Sequence, residues 1–467
     1  MSPPCNATLS ASLAKRWRAL SVFLLTGFSA LASTGTLADV VQVQFWTMQL
    51  SPFHDAYIRG VIRDFEKQHP DIRVKWVDVP WSEMEKKTLT AVAAATPRRP
   101  APDVVNLNPQ FASKLAEFGA LADPEKFLSA EEIRAYLPAA WKANRLDGKT
   151  FALPWYLTTS VLLYNKPLLR QAGVEAPKTF EGLLPAAQKV RAATGRYAYF
   201  PALDGSTPLE TLVSMGAPIL SVNGCRAGFI DERGERVFAF HQRLYQDGLV
   251  PKNVVTEGHR KAVEMFLAGQ VAMVSTGMQF LQFIKTNNPA FYADVGVTLQ
   301  IGSSDTPPNI AAMNVAVLEQ SPNKLAAFRF ATFLTNAANQ TEFARRVPIL
   351  PSSTKSYEDP FFTKPSGDRL LDEARALSVE QVKRGEVLVP PMRNYNKFRS
   401  DYARNLQAVM LNRKTTRQAL TEIDATWSAL LPCAKKMANR GVATTGVATT
   451  EVANNRVVDG STAKKVP

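Results

Sequence analysis

Along residues 40–46, VVQVQFW, apolar and polar positions alternate with the period of two that a strand with one buried face requires. In the segment DAYIRGVIRDFEKQH that follows, Ile58, Val61, Ile62 and Phe65 recur at helical spacing, which predicts a helix lying across that strand. IRVKWV alternates again. Ser82 and Glu85 then stand at the spacing of a capping box and predict a helix from there through Ala95. DVVNLN reads as a strand and QFASKLAEFG as a helix closed by Gly119. Strands and helices alternating at this interval predict an α/β domain with a largely parallel sheet, in which ligands bind at the carboxyl ends of the strands. Those ends are Trp46, the stretch leading to Trp81, and Asn106 to Asn108.

The same grammar continues. FALPWYLTTSVLLYN reads as one long extended segment, and TFEGLLPAAQKVRAATG as a helix opened by Thr179 and closed by Gly195. Helices fit 235–247 and 257–268, each followed by a glycine; VAMVS and IAAMNVAVL read as strands. NKLAAFRFATFLTN, TEFARR, 398–412 and 416–431 have helical periodicity. Residues 435–467, with the repeat GVATTGVATTEVA, lack apolar periodicity and aromatics and are expected to be disordered.

Three features outside this pattern change the picture. Lys15, Arg16 and Arg18 precede an apolar run, and small residues follow at Ala30, Ala32, Thr36 and Ala38, the layout of a secretory signal. The run is shorter than the roughly 20 residues of a membrane span, so residues 1–38 are read as a cleaved signal peptide, with cleavage after Ala32 or, preferably, Ala38. Cys5 precedes the charged region and is not placed to carry a lipid. Half of the formal charge of +14 lies in this segment and in the tail from Lys435. The remainder is dispersed, with no arginine-rich stripe interleaved with aromatics, so no nucleic-acid partner is expected. Of the cysteines, Cys225 and Cys433 survive processing, and an exported chain can keep a disulfide, with two unpaired thiols as the alternative. His54, His69, His241 and His259 are scattered without ligand spacing, so no metal site and no cofactor are expected.

Four segments resemble the family 1 extracellular solute-binding proteins, the group that includes the maltose-binding protein. They are VQFW with FEKQHPDIRVKW and APDVVNLN; GKTFALPWYLTTSVLLYNK; MFLAGQVAMVSTGMQF; and MNVAVLEQSPNKLAAFRFATFLTNAANQTEFA with ILPSSTKSYEDP. Their occurrence in this order across residues 40–432 carries the resemblance; APDVV alone is common. The resemblance implies the periplasmic-binding-protein fold, two α/β lobes joined by hinge crossings with a ligand cleft between them. The crossings fall near Pro154 to Ser160, Ile310 to Asn314 and Lys355 to Tyr357. The N-lobe then comprises residues 39–157 and 314–356, and the C-lobe 158–313 and 357–434, which puts Cys225 and Cys433 in one lobe. The function implied is capture of a small carbohydrate by a monomeric extracytoplasmic protein, with delivery to the membrane permease of an ABC importer.

A sugar offers an apolar C–H face and a rim of hydroxyls, so its site needs an aromatic plate and polar groups that replace lost water. Trp155 and Tyr156, at the first crossing, are the leading plates, against the ordinary reading of an aromatic in an apolar strand as core. Trp46 and Trp81 divide between site and packing. Asn106 and Asn108 are read as ligand bonders, with a turn-forming role as the alternative. Asp204 in LDGST and Arg393 in PPMRNYNKF match cleft positions only loosely, and a lone charge is most often a solvated surface group. Gly277 matches a family glycine that admits ligand close to the backbone. Gln279 stands where many members carry Trp, a departure that removes a stacking surface and argues against a maltodextrin. Met313 and Asn314 are read as hinge, lining or both. Arg393 also raises a rival ligand, a phosphorylated sugar or polyol. No nucleophile elbow, phosphate loop, dinucleotide fingerprint or metal motif occurs, and nothing points to the paired carboxylates of a glycosidase.

Overall fold

The computed structural model describes residues 40–98 and 100–431. The signal segment, Cys433 and the tail from 435 lie outside them; Cys225 is disulfide-bonded. Among the described residues no helix is long and apolar enough to cross a membrane.

Among the described residues ten strands form: β1 (Val41–Met48), β2 (Ile72–Val79), β3 (Val104–Leu107), β4 (Arg145–Leu146), β5 (Lys149–Thr150), β6 (Leu153–Asn165), β7 (Met273–Gly277), β8 (Val295–Leu299), β9 (Ile310–Val317) and β10 (Leu350–Pro351). Apart from the small β4–β5 hairpin they make one sheet in the order β10-β6-β9-β3-β1-β2, with β7 and β8 also on β6. The expected parallel pairing holds for β1 with β2 and β3, but the sheet as a whole is mixed: β3–β9, β6–β9, β10–β6, β6–β7 and β6–β8 are antiparallel. A helical crossover brings a strand back parallel. β1 to β3 are linked that way, by helices Asp55–Gln68 and Trp81–Ala93, whereas β9 runs antiparallel to both β3 and β6.

β6 organises the chain. Residues Leu153 to Thr159 pair with β9, and Ser160 to Asn165 pair with β7 and β8, so the strand changes partners between Thr159 and Ser160. Amide side chains hold the change in place. Gln300 Nε2 donates to Thr159 Oγ1 (3.0 Å) and to the Asn309 carbonyl (3.2 Å), while Gln381 Nε2 donates to the Ser160 carbonyl (2.9 Å). Backbone groups freed where the ladder switches thereby keep partners.

Local chemistry explains most element ends. Ile58, Val61, Ile62 and Phe65 are the buried face of the first helix. Thr179 accepts from the Gly182 N–H to open the helix Phe180–Thr194, and Gly195 closes it at φ 66°. The Ser82–Glu85 capping box does not form. That helix begins at Trp81 after Pro80 with no side-chain cap, and Glu85 pairs instead with Lys114 at 2.5 Å. The motif APDVV has a structural cause: Asp103 is buried, accepting from Gln44 N–H (2.8 Å) and Ser321 Oγ (2.6 Å), and so ties β1 to the turn after β9.

Candidate functional site

Two cavities lie against the strand crossings and share Glu210, Asn309 and Ala311 as a common wall. The larger encloses about 240 Å³. Its floor is Thr158 to Ser160 of β6, where the strand changes partners; the end of β7 and the start of the helix Gln279–Asn287 form one side, with Tyr199, His259 and Phe280 around it. The smaller, about 50 Å³, lies between the start of the helix Pro109–Glu117 and Asn144 on one side and Ser206, Tyr395 and the segment 387–391 on the other. Segments far apart in the chain thus supply both walls.

The groups facing this space are aromatic faces interleaved with small polar side chains. Tyr199 donates its hydroxyl to Ser275 Oγ (3.1 Å), and Phe280 meets the His259 ring edge to face at 5.4 Å. His259 opens its helix after Gly258, and its N–H donates to Asp204 Oδ1 (3.0 Å) while Nε2 lies 3.1 Å from Thr276 Oγ1. A Cβ at 258 would come within 2.3 Å of the Asp204 carboxyl and would push that side chain off the His259 N–H. Burial lowers the His259 pKa, outweighing the Asp204 charge that raises it, so the ring is neutral at pH 7. Glu210 shifts the other way: burial raises its carboxyl above the usual range, against the hydrogen bonds of Ser206 and Asn309. Burial, with Glu210 nearby, pushes the Tyr395 phenol up to about 12. Among the described residues neither cavity is lined by a Lys or an Arg.

Of the residues singled out in the sequence, Gly277 and Gln279 line the larger cavity. The space that glycine opens is taken by its neighbour, since a Cβ on Gly277 would lie 2.1 Å from Gln279 Oε1. The others fall outside the lining. Trp155 is fully buried and stacked on Phe343 at 5.3 Å, and Tyr156 meets the same ring edge-on, so neither is a plate of this cleft. β6 turns both toward the helix Ala337–Arg346, where aromatic contacts hold them. Asn106 is buried, accepting from Met48 N–H (3.4 Å) and donating to the Asn314 carbonyl (3.1 Å); Asn108 caps the helix Pro109–Glu117 through the Phe111 N–H. Asn314 is buried in β9, and Trp46 and Met313 pack against a core that includes Met48, Val105 and Phe111. Trp81 is exposed at the head of its helix. Asp204 reaches the cavity only through His259. Arg393 is engaged by Asp147 (Nε to Oδ2, 2.7 Å) and by the Glu117 carbonyl (3.3 Å). Sequence reasoning missed Glu210, His259, Tyr199, Phe280 and Tyr395. The one available signal was Tyr395, two residues beyond Arg393 in PPMRNYNKF.

A sheet strand shared by two sets of partners, with a cleft of polar and aromatic groups at the crossings, is the arrangement of the two-lobed periplasmic-binding-protein fold. A periplasmic-binding protein of Synechococcus sp. MITs9220, described as a candidate oligosaccharide binder, is similar at TM-score 0.75 and 36% identity over 85% of this chain and 99% of its own. The galactooligosaccharide-binding protein of Bacillus subtilis is 25% identical over 69% of this chain and 76% of its own. The diacetylchitobiose binding protein of Streptomyces coelicolor is 23% identical over 66% and 72%. The bacterial extracellular solute-binding protein model matches residues 51–341, and the chain belongs to that family.

Proposed function

We propose that this protein is the extracytoplasmic receptor of an ABC importer, that it captures a small carbohydrate between its lobes, and that it acts as a monomer without transforming the ligand. One observation supports this reading above others: the cleft interleaves Tyr199, Phe280 and Tyr395 with Thr158, Thr159, Ser275, Gln279 and Asn309. Aromatic faces cover the C–H surface of a sugar, and neutral hydroxyl and amide groups replace its water bonds. The relatives named for galactooligosaccharide and diacetylchitobiose agree with that chemistry.

The chain then passes between lobes on β6 at Thr159 to Ser160, again before Ile310, and a third time after Pro351. Ligand contacts from both walls favour the closed arrangement, a population shift driven by differential affinity. The phosphorylated-ligand alternative loses its support. Arg393 is occupied by Asp147, and no described cation lines the cleft to meet a phosphate. The mature protein, unfolded and refolded to strip bound ligand, is to be melted against sugars, sugar phosphates, amino acids and polyamines. A hundredfold excess over Kd adds roughly 2.7 kcal/mol. A raised midpoint with a group of sugars, no product on incubation, and a smaller radius in X-ray scattering bear the reading out. A rise only with non-sugars, or turnover, defeats it.

A further inference from the structure

Glu210 stands on the helix Thr207–Ser214 where the two cavities meet and lines both. Its carboxyl is hydrogen-bonded by Ser206 and Asn309, and no cation among the described residues offsets its charge. Arg399, one helical turn beyond Tyr395, gives a guanidinium N–H to the Gly205 carbonyl and lines neither cavity. The remaining titratable groups of the lining are His259, kept neutral by burial, and the phenols Tyr199 and Tyr395, both raised. None supplies a positive charge. Beside Glu210 in the smaller cavity, the buried Asn144 Nδ2 has no hydrogen-bond partner, and the Tyr395 hydroxyl has only the side chains of Gln110 and Ser206 near it. Both are donors suited to a ligand hydroxyl, and neither can neutralise a carboxylate.

A half-buried carboxylate without a counter-ion favours a ligand group that is charged or strongly donating beside it. Within a chain of formal charge +14, the cleft reverses the sign of the whole. We propose that Glu210 makes this cleft selective for a basic carbohydrate, one that presents a protonated amine to its carboxylate while a neighbouring hydroxyl accepts from Tyr395 and Asn144. An ammonium donates a charge-assisted hydrogen bond, about twice as strong as a neutral one. An N-acylated sugar of the same skeleton offers only an amide N–H, and an acidic sugar brings like charge. This inference rests on the reading of the cleft as a sugar site.

The test is calorimetric titration of refolded wild-type protein and Glu210→Gln at neutral pH with matched pairs of mono- to trisaccharides, each as the free amine and as its N-acetyl derivative. The expected result is at least about tenfold tighter binding of the amine members by wild type. Glu210→Gln, nearly isosteric, removes that preference while its circular dichroism and melting show an intact fold. Equal or better binding of the N-acetyl members by wild type, or a preference that survives the substitution, overturns the role of Glu210 and leaves the sugar reading standing. Failure of every carbohydrate to bind overturns both.

Discussion

The wall of the cleft near β3 and the wall near β7 use their polar side chains differently. At the carboxyl ends of β1 to β3, polar groups are consumed inside the protein. Asp78 accepts from Thr47 Oγ1 (2.7 Å) and from the N–H groups of Leu50 and Ser51, Asn106 brackets β1 and β9, and Asn108 caps a helix. Across the cleft, Glu210, Gln279, Ser275 and the faces of Tyr199 and Phe280 remain directed at the cavity. A strand end in a parallel sheet is a crowded place where the chain must turn and start a helix, so polar residues there are needed for the turn. The helix starts of the second wall are secured by backbone and by residues set back from the cavity, such as Asp204, which leaves the facing side chains open to a ligand.

The largest expected effect tests the first wall. Trp155→Ala removes a fully buried ring from its stack on Phe343 and should cost about 3–5 kcal/mol in urea unfolding. Affinity measured where the variant is still folded should stay within about threefold of wild type, a change of no more than about 0.7 kcal/mol. A large affinity loss with little destabilisation would return Trp155 to the site and break the comparison. Asn106→Ala strands the Met48 N–H and the Asn314 carbonyl and should cost about 1–3 kcal/mol, again without a change in affinity.

On the second wall the signs reverse. Phe280→Ala takes away a half-buried face beside His259, and is expected to weaken sugar binding about tenfold while the melting midpoint of the unliganded protein hardly moves. Glu210→Gln should raise that midpoint at pH 7. The folded pKa of Glu210 lies above its ordinary 4.5, so its protonated form favours folding at low pH and that stability is lost as pH rises through the folded pKa. The advantage of the glutamine variant should therefore shrink on acidification and vanish below about pH 4.5, the unfolded value. His259 and His241, both with pKa lowered from 6.5 by burial, tilt the wild-type curve the other way. The unfolded chain binds more protons just below pH 6.5, so stability falls on acidification there, and the slope should flatten when both are replaced by Gln.

Much of the frame was legible in the chain because its signals are local. The face Ile58, Val61, Ile62 and Phe65, the Thr179 cap and the Gly195 stop each need only neighbours a few residues away. The helix Arg369–Arg384 went unread although Ala374, Ser378, Gln381 and Val382 are buried on it, since its inward face is mixed in polarity. The site was far less legible. Nothing in TPLETLVS distinguishes Glu210 from any surface glutamate; its character comes from Asn309, a hundred positions on, and from Tyr395 beyond that. Trp155 and Tyr156 misled for a related reason, since an aromatic at a crossing can face the cleft or the helix behind it, and only the direction of β6 decides.

The smallest expected effect is at a group of contacts that spans the two walls. Arg393 and its neighbour Asn394 belong to the segment that leads into the helix Tyr395–Met410, whereas Asp147 and Glu117 sit beside β4 and the helix Pro109–Glu117. Arg393 pairs with Asp147 at 2.6 Å, and the Asn394 N–H donates to Glu117 Oε1 at 3.4 Å. Both charged partners are about half exposed, so screening limits the pair to at most about 1 kcal/mol, and Arg393→Ala should change unfolding free energy by no more than that. In the proposed closure the pair forms as the walls approach, so its loss acts on closure. The radius of the unliganded variant in scattering should be equal to or larger than that of wild type, with sugar affinity reduced by at most about fivefold, a shift of about 1 kcal/mol. Abolished binding would instead place Arg393 among the groups that hold the ligand, and the division between a consumed wall and an open one would fail at that residue.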